Sequence, residues 1–386
     1  MKNTFYLYLL LLGILFACQK EDQSEEMTNL ITEVKEKYAP DKRVALFDVQ
    51  WENGILSGET NLPEAYKELT DKLTSNSISF TDSIQILPDP ALGSKNLALV
   101  TNSVANIRSA PKHSAELATQ ALMGTPLNVL KAEGSWYLVQ TPDAYLSWVD
   151  AAAIVLVDQN TMDEWLQKEK IVVTEMISTI YENDSFDQIV SDITAGNVLE
   201  LQGYENENYQ VILPDQRRGI IKGDQAVTYD TWKNSRSTSD DNLIQTAKKM
   251  MGAPYLWGGT SPKGVDCSGF TKTIYFLNGM VIPRDASQQV NEGELIDNDK
   301  NWDNLQVGDL LFFGVPATET SKERVVHVGM WIGDGQFIHS RGRVRVSSFN
   351  PEDENFDAPE LARYLRTKRI RNQPSEHILT VDQVLQ

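Results

Sequence analysis

Tyr255-Leu256-Trp257-Gly258-Gly259, followed by Val265-Asp266-Cys267-Ser268-Gly269-Phe270, decides how this chain is read. The second stretch sets a cysteine at the start of a predicted helix. From Ser268 to Leu277 (SGFTKTIYFL), apolar residues fall at Phe270, Ile274 and Leu277, with Tyr275 and Phe276 beside them. That pattern predicts a mostly buried helix, ended by Asn278-Gly279. A thiol at its first turn faces unpaired N–H groups and the positive end of the dipole. Both favour thiolate, so Cys267 is expected to be nucleophilic near neutral pH.

A thiolate needs a base. The chain has four histidines, and two lie in one downstream block: Val325-Val326-His327-Val328-Gly329-Met330-Trp331-Ile332-Gly333, then Gln336-Phe337-Ile338-His339-Ser340. The two segments read as neighbouring strands joined at Gly333-Asp334-Gly335. Pairing around that turn can put both rings on one face. His327 would take the proton from Cys267, and His339 would hold and polarise His327. This is nucleophile–base–orienter logic. His113 and His377 lie in polar surroundings and are assigned no chemistry. No His/Cys/Asp cluster has metal-ligand spacing, so no metal is expected. No Gly-rich phosphate loop follows a strand, and no cofactor is implied.

At 386 residues, the chain can form two to four domains with proper cores. Its hydrophobic and charged fractions, 41% and 23%, are ordinary for globular protein. The net charge of −19, with no Lys/Arg block, speaks against nucleic acid as a partner.

Residues 1–18 read as an export signal: Met1-Lys2-Asn3 is a positive start, and Phe5 to Phe16 is an apolar run too short to span a membrane comfortably. Leu15-Phe16-Ala17-Cys18 resembles a bacterial lipobox, which implies lipidation of Cys18. Gln19 follows in place of the aspartate that retains lipoproteins at the inner membrane, so an outer-membrane anchor in the cell envelope is expected. Which leaflet faces the protein is not readable. With Cys18 acylated, Cys267 has no partner for a disulfide.

Residues 19–28 are polar and acidic and read as a tether. Residues 29–95 form a small α/β unit. It has a helix at Asn29–Tyr38, strands at Arg43–Gln50 and Ile55–Thr60 around Asn53-Gly54, a helix from Pro63 to Leu73, and a strand at Ile78–Leu87. Residues 96–157 and 170–228 look like an internal repeat, with Gly124 matching Gly196 and Pro142 matching Pro214, each 72 apart. Short alternating strands argue small β-barrels. The first copy resembles the bacterial SH3-like domain, and the second, within 158–235 behind a linker helix at Met162–Glu169, is a degenerate copy. Asp241 or Asn242 is expected to cap a helix from Leu243 to Met251.

From 240 to 370 the chain resembles the NlpC-type cell-wall cysteine peptidases, a papain-like α+β family. Six motifs occur in order: G-x-P-Y-x-W-G-G, D-C-S-G-F, P-R-D-A, V-G-D-L-L-F-F, H-V-G-M-W-I-G and F-I-H-S. The fold class expected is therefore multidomain: the small N-terminal α/β unit, two SH3-like β-barrels, and a catalytic domain at 236–386. The arrangement is similar to γ-D-glutamyl-L-diamino-acid endopeptidases, which cut short peptidoglycan stem peptides with a free N-terminal L-Ala.

The resemblance implies roles residue by residue. Cys267 is the nucleophile, His327 the base and His339 the third member. Asp266 helps to bind the substrate's amino terminus, although an acid there also stabilises the helix dipole. Ser268 and Tyr255 line the groove, and Tyr255 can donate to the oxyanion beside the Cys267 N–H. Trp257 is a groove wall or a core tryptophan. Arg284, with Asp285 and Ser287 on the same loop, suits a substrate carboxylate or a structural Arg284–Asp285 network. Tyr145 closes the groove, and Glu116 joins Asp266 on the substrate ammonium. Asp309 reads as a turn residue. The rival expectations are a hydrolase of intact cross-linked wall, a non-catalytic wall-binding lipoprotein, and an acyltransferase on the same frame. Lysine and diaminopimelate are not distinguished, and the oligomeric state is open.

Overall fold

The computed structural model describes residues 24–385, so the export signal, Cys18 and residues 19–23 lie outside it. The chain divides into two compact units. Among the described residues, one comprises 24–93 with 144–146, and the other 94–143 with 147–385.

In the first unit a helix covers 24–38 (α1). Residues 24–28, expected as tether, are helical because Met27 is buried with Ile31 and Val34 in the unit's core. The sheet has the order β1 (Phe47–Glu52), β2 (Ile55–Thr60), β3 (Thr81–Ile86). β1 and β2 pair antiparallel across Asn53 and Gly54, both at positive φ as a type I′ turn requires. β3 returns parallel to β2 after α2 (Pro63–Ser75), whose Ala65, Leu69 and Leu73 are fully buried. The first strand begins at Phe47 rather than at Arg43, where the chain still turns.

The second unit opens with two seven-stranded sheets. The first contains β4 (Leu97–Val100), β5 (Val104–Arg108), β6 (Leu117–Leu122), β7 (Pro126–Glu133), β8 (Trp136–Gln140), β9 (Leu146–Asp150) and β10 (Ile154–Val157). After α3 (Gln159–Gln167), the second contains β11 (Lys170–Val173), β12 (Ile177–Tyr181), β13 (Ile189–Thr194), β14 (Val198–Glu205), β15 (Asn208–Ile212), β16 (Arg218–Lys222) and β17 (Ala226–Thr228). Their strand orders are β10-β4-β7-β8-β9-β5-β6 and β17-β11-β14-β15-β16-β12-β13, the same path drawn twice. Gly124 and Gly196 occupy equivalent turns with φ of +84° and +88°, a conformation that costs glycine little.

Next come α4 (Tyr229–Ser235) and α5 (Asp240–Lys249). Ser239, not Asp241 or Asn242, caps α5, its hydroxyl accepting from Asn242 N–H. A short hairpin, β18 (Thr260–Ser261) with β19 (Gly264–Val265), delivers the chain to α6 (Cys267–Leu277). Then follow β20 (Met280–Val281) and α7 (Ala286–Gln289). The six-stranded sheet has the order β21 (Glu294–Asp297), β26 (Tyr364–Arg369), β22 (Leu310–Val315), β23 (Arg324–Gly333), β24 (Gln336–Arg341), β25 (Arg343–Ser348). The short helix α8 (Ala358–Ala362) precedes β26.

One face of this sheet supplies Leu310, Phe312, Val328, Met330, Ile338 and Val344 to a core shared with Phe270 and Ile274 of α6. Burying each such side chain stabilises the fold by about 1.5–3 kcal/mol, and this burial fixes α6 against β23. The opposite face packs Phe313, Trp331 and Phe337 under Phe349 and Tyr364. Asp309 closes the turn expected of it, its N–H donating to Gln306 O at 3.0 Å and its Oδ2 accepting from Gln306 N–H at 2.8 Å, and it is also fully buried and paired with two nitrogens of Arg369 at 2.8 Å each.

Candidate active site

Cys267 is the first residue of α6. Asp266 is the N-cap, its Oδ1 accepting from Gly269 N–H at 2.7 Å. The N–H of Val328, the neighbour of His327 on β23, and that of Ser268 both donate to Cys267 Sγ. Cys267 is 9% exposed. Burial pushes its thiol up to about 11, and the Asp266 carboxylate adds to the rise. The two N–H donors and Arg284 oppose it without prevailing. The expectation of a resting thiolate is therefore corrected. A helix N-terminus lowers a thiol only where solvent or a net positive field can hold the charge, and here the sulfur is desolvated beside a carboxylate.

The β23–β24 hairpin turns at Asp334 and Gly335, both at positive φ, and Gly333 pairs with Gln336. His327 and His339 thereby share one face of the sheet, with His327 Nε2 2.7 Å from His339 Nδ1. Gly329 leaves room beside the pair, since a Cβ there would stand 3.2 Å from His339 Cβ and 3.0 Å from the Phe337 ring. Burial lowers both imidazoles. His327 falls to about 3, helped by Arg363, Arg341 and Arg345, and His339 falls to about 2, helped by His327 and Arg345. The resting site thus holds a neutral thiol and two neutral imidazoles.

His339 Nε2 lies 3.0 Å from Ser347 Oγ, and Ser347 Oγ donates to Asp357 Oδ2 at 3.0 Å. Arg341 and Arg345 donate to the Asp357 carboxylate, and Arg341 and Arg363 to that of Glu360. Ser347, Asp357 and Glu360 are all buried. None of the three is legible in the sequence, because α8 carries the two acids in from beyond β25, a juxtaposition no local pattern announces. His327, His339 and Glu360 place ligand-type atoms within 4.8 Å of one another. The two imidazoles are bonded to each other there, and two arginines occupy Glu360.

Arg284 is 2% exposed and grips Asp266, Nη2 to Oδ2 at 2.6 Å and Nη1 to Oδ1 at 3.2 Å, while Nη1 also donates to Ser268 Oγ at 3.0 Å. Gly258 N–H completes the set on Asp266 Oδ2 at 3.0 Å. This changes three readings. Arg284 is structural: it holds Asp266 and stands 3.8 Å from Asp285 Oδ1, so the expected Arg284–Asp285 network is present, widened to Asp266, and the substrate-carboxylate reading falls. Asp266 is a saturated N-cap rather than an open partner for an ammonium. Ser268 is buried in the same network rather than lining a groove. Asp285 caps α7 in a reciprocal pair with Gln288, and Ser287 is exposed on that helix. Gln289, also missed, ties Ser268 O and Pro283 O together.

Tyr255 is half-buried. Burial first, and then the neighbouring Cys267 and Asp266 groups, push its hydroxyl up to about 12, so it remains a donor. Trp257 is 62% exposed, which removes the core reading, and its Nε1–H donates to Glu116 Oε1 at 2.5 Å. The first sheet therefore reaches the cysteine loop. Gly258 (φ +80°) meets β6 so closely that a Cβ would lie 2.1 Å from Leu117 O. Gln120 Oε1 accepts from Thr260 N–H at 2.9 Å, and Lys272 of α6 is paired with Asp143. Tyr145 is buried and falls with the N-terminal unit.

A cysteine at a helix N-terminus, an N–H from the histidine strand at its sulfur, and a buried histidine pair define a papain-like cysteine peptidase. Residues 252–359 match the NlpC/P60 family, and residues 107–154 match the bacterial dipeptidyl-peptidase Sh3 domain. The chain is 34% identical over 233 residues to the γ-D-glutamyl-L-lysine dipeptidyl-peptidase of Bacillus cereus, covering 58% of this chain and 67% of that one. It is 30% identical over 232 residues to the protein of the same name from Bacillus subtilis, covering 58% and 72%. The crystal structure of an NlpC/P60 family protein from Bacillus cereus superposes with a TM-score of 0.61 at 27% identity, covering 71% of this chain and 99% of that one. The chain belongs to the NlpC/P60 family and is a cysteine peptidase with an SH3-like domain.

Proposed function

We propose that this peptidase hydrolyses the γ-D-glutamyl–diamino acid bond of short peptidoglycan stem peptides that carry a free N-terminal L-Ala. The observation that carries the reading is the Trp257–Glu116 pair. It sets an exposed carboxylate of the SH3-like domain beside the cysteine loop, where it suits a substrate ammonium. The names of the Bacillus relatives support the same bond as target.

In this reading His327 accepts the Cys267 proton as sulfur attacks the γ-glutamyl carbonyl carbon. The oxyanion is met by the Cys267 N–H and the Tyr255 hydroxyl. The imidazolium returns its proton to the leaving amine, and water, deprotonated by His327, then releases the acyl group. The test compares L-Ala-γ-D-Glu-diamino acid, its N-acetylated form and whole sacculi. Cleavage of the free peptide alone is expected. Glu116→Gln should raise KM for it by about 10-fold or more with kcat little changed, as for loss of one charged contact. Robust cleavage of sacculi with none of the tripeptide would favour the intact-wall rival.

We read residues 170–228 as a second SH3-like domain, on the shared strand order. The lipobox-like Cys18 supports a lipid-anchored protein of the envelope, at the outer membrane. Cys18→Ala should move it to the soluble fraction, and an unchanged membrane fraction would reject the anchor.

A further inference from the structure

We propose that Ser347 and Asp357 are positioning residues that set the proton direction through both catalytic histidines, so that the resting His327 keeps Nδ1 free of a proton to accept the one from Cys267. The inference rests on the peptidase reading of Cys267 and His327.

Asp357 accepts from Arg345 Nη2 at 2.9 Å, from Arg341 Nη1 at 3.4 Å and from Glu360 N–H at 3.3 Å. A carboxylate so surrounded is an acceptor only. The single hydroxyl proton of Ser347 therefore goes to Asp357 Oδ2, and Ser347 Oγ must accept from His339. A neutral imidazole carries one N–H, so a proton on His339 Nε2 leaves Nδ1 as an acceptor. His327 Nε2, 2.7 Å away, must then be the donor. The one nitrogen of His327 without a proton is Nδ1.

The same direction survives the reaction. When His327 takes the thiol proton at Nδ1, its Nε2–H still points at the His339 lone pair. The new positive charge is polarised along three buried hydrogen bonds towards Asp357. Glu360 Oε1 stands 3.9 Å from His327 Nε2, beyond hydrogen-bond distance, and it is occupied by Arg341 and Arg363. It does not compete for the proton.

The test is ¹⁵N NMR of histidine-labelled full-length protein at neutral pH, without substrate, together with kcat on the free tripeptide. Two of the four histidines, His113 and His377, are exposed, which simplifies the spectrum. Wild type should show His327 and His339 each protonated at Nε2. In Asp357→Asn the amide can donate to Ser347, whose hydroxyl then donates to His339. The chain of protons reverses, Nδ1 of both rings becomes protonated, and kcat should fall about 10³- to 10⁴-fold with KM changed less than about threefold. Asp357 also caps α8, so Ser347→Ala and Ser347→Thr provide a second arm. The alanine should lose about 10- to 100-fold in kcat, and the threonine, which keeps the hydroxyl, should restore most of it. Wild-type His339 protonated at Nδ1, or full kcat in Ser347→Ala, would overturn the proposal. Because the tautomers are read without substrate, their failure is distinct from a mistaken substrate.

Discussion

Arg284 closes two guanidinium nitrogens on Asp266, at 2.6 and 3.2 Å, with both side chains almost wholly out of water. The residue that caps the nucleophile's helix is thus itself held by a buried cation. Arg284→Met should destabilise the fold by about 3–5 kcal/mol, because it strands a buried carboxylate. Arg284→Lys should recover only part, since an ammonium lacks the fork. Urea unfolding measures both, and a loss below about 1 kcal/mol in the methionine variant would contradict the assignment.

The neutral resting thiol has a kinetic signature. At pH 7 a thiol near 11 is ionised to about one part in 10⁴. Alkylation of Cys267 by iodoacetamide should therefore rise about tenfold per pH unit between 7 and 10. A rate that is already at its plateau by pH 7 would instead reveal a preformed thiolate.

Stability should carry the mark of the histidine pair. Both folded imidazoles titrate far below the ordinary value, so the unfolded chain binds more protons as pH falls below 6.5. Stability then drops with falling pH, by up to about 1.4 kcal/mol per pH unit for each histidine, down to about pH 3. His339→Gln should shallow the slope of unfolding free energy between pH 6 and 4 by about that amount. An unchanged slope in this variant would show that His339 titrates normally.

The pair Lys272–Asp143 ties α6 to the SH3-like domain. Burial works against the Asp143 charge, yet Lys272 and the Thr141 hydroxyl hold its carboxyl below the usual range. Its contribution is present above about pH 4 and is lost as pH falls further. Lys272→Met should cost about 3 kcal/mol at pH 7 and less at pH 3. Equal losses at the two pH values in thermal unfolding would refute this.

Features that depend on neighbours in sequence were readable in advance. Asp334-Gly335 demanded a tight turn, and the turn brought the two histidines together. Asn53-Gly54 did the same for the first hairpin. What escaped was set by distant contacts. Nothing around Cys267 in the sequence states that it is desolvated, and desolvation outweighs the helix dipole there. The pairing of Arg284 with its neighbour Asp285 was legible, but its grip on Asp266, from another loop, was not. Ser347 and Asp357 carry no motif. Their role exists only because α8 folds back over β24 and β25.

Gly258 has one more implication, for exchanging modules. A foreign SH3-like module grafted onto this peptidase would have to reproduce the close approach that the Leu117 carbonyl and side chain now make to residue 258. It would also need an amide at the height of Thr260, as Gln120 supplies. Compatibility in such chimaeras is then decided by clearance at two points, and overall sequence likeness matters far less.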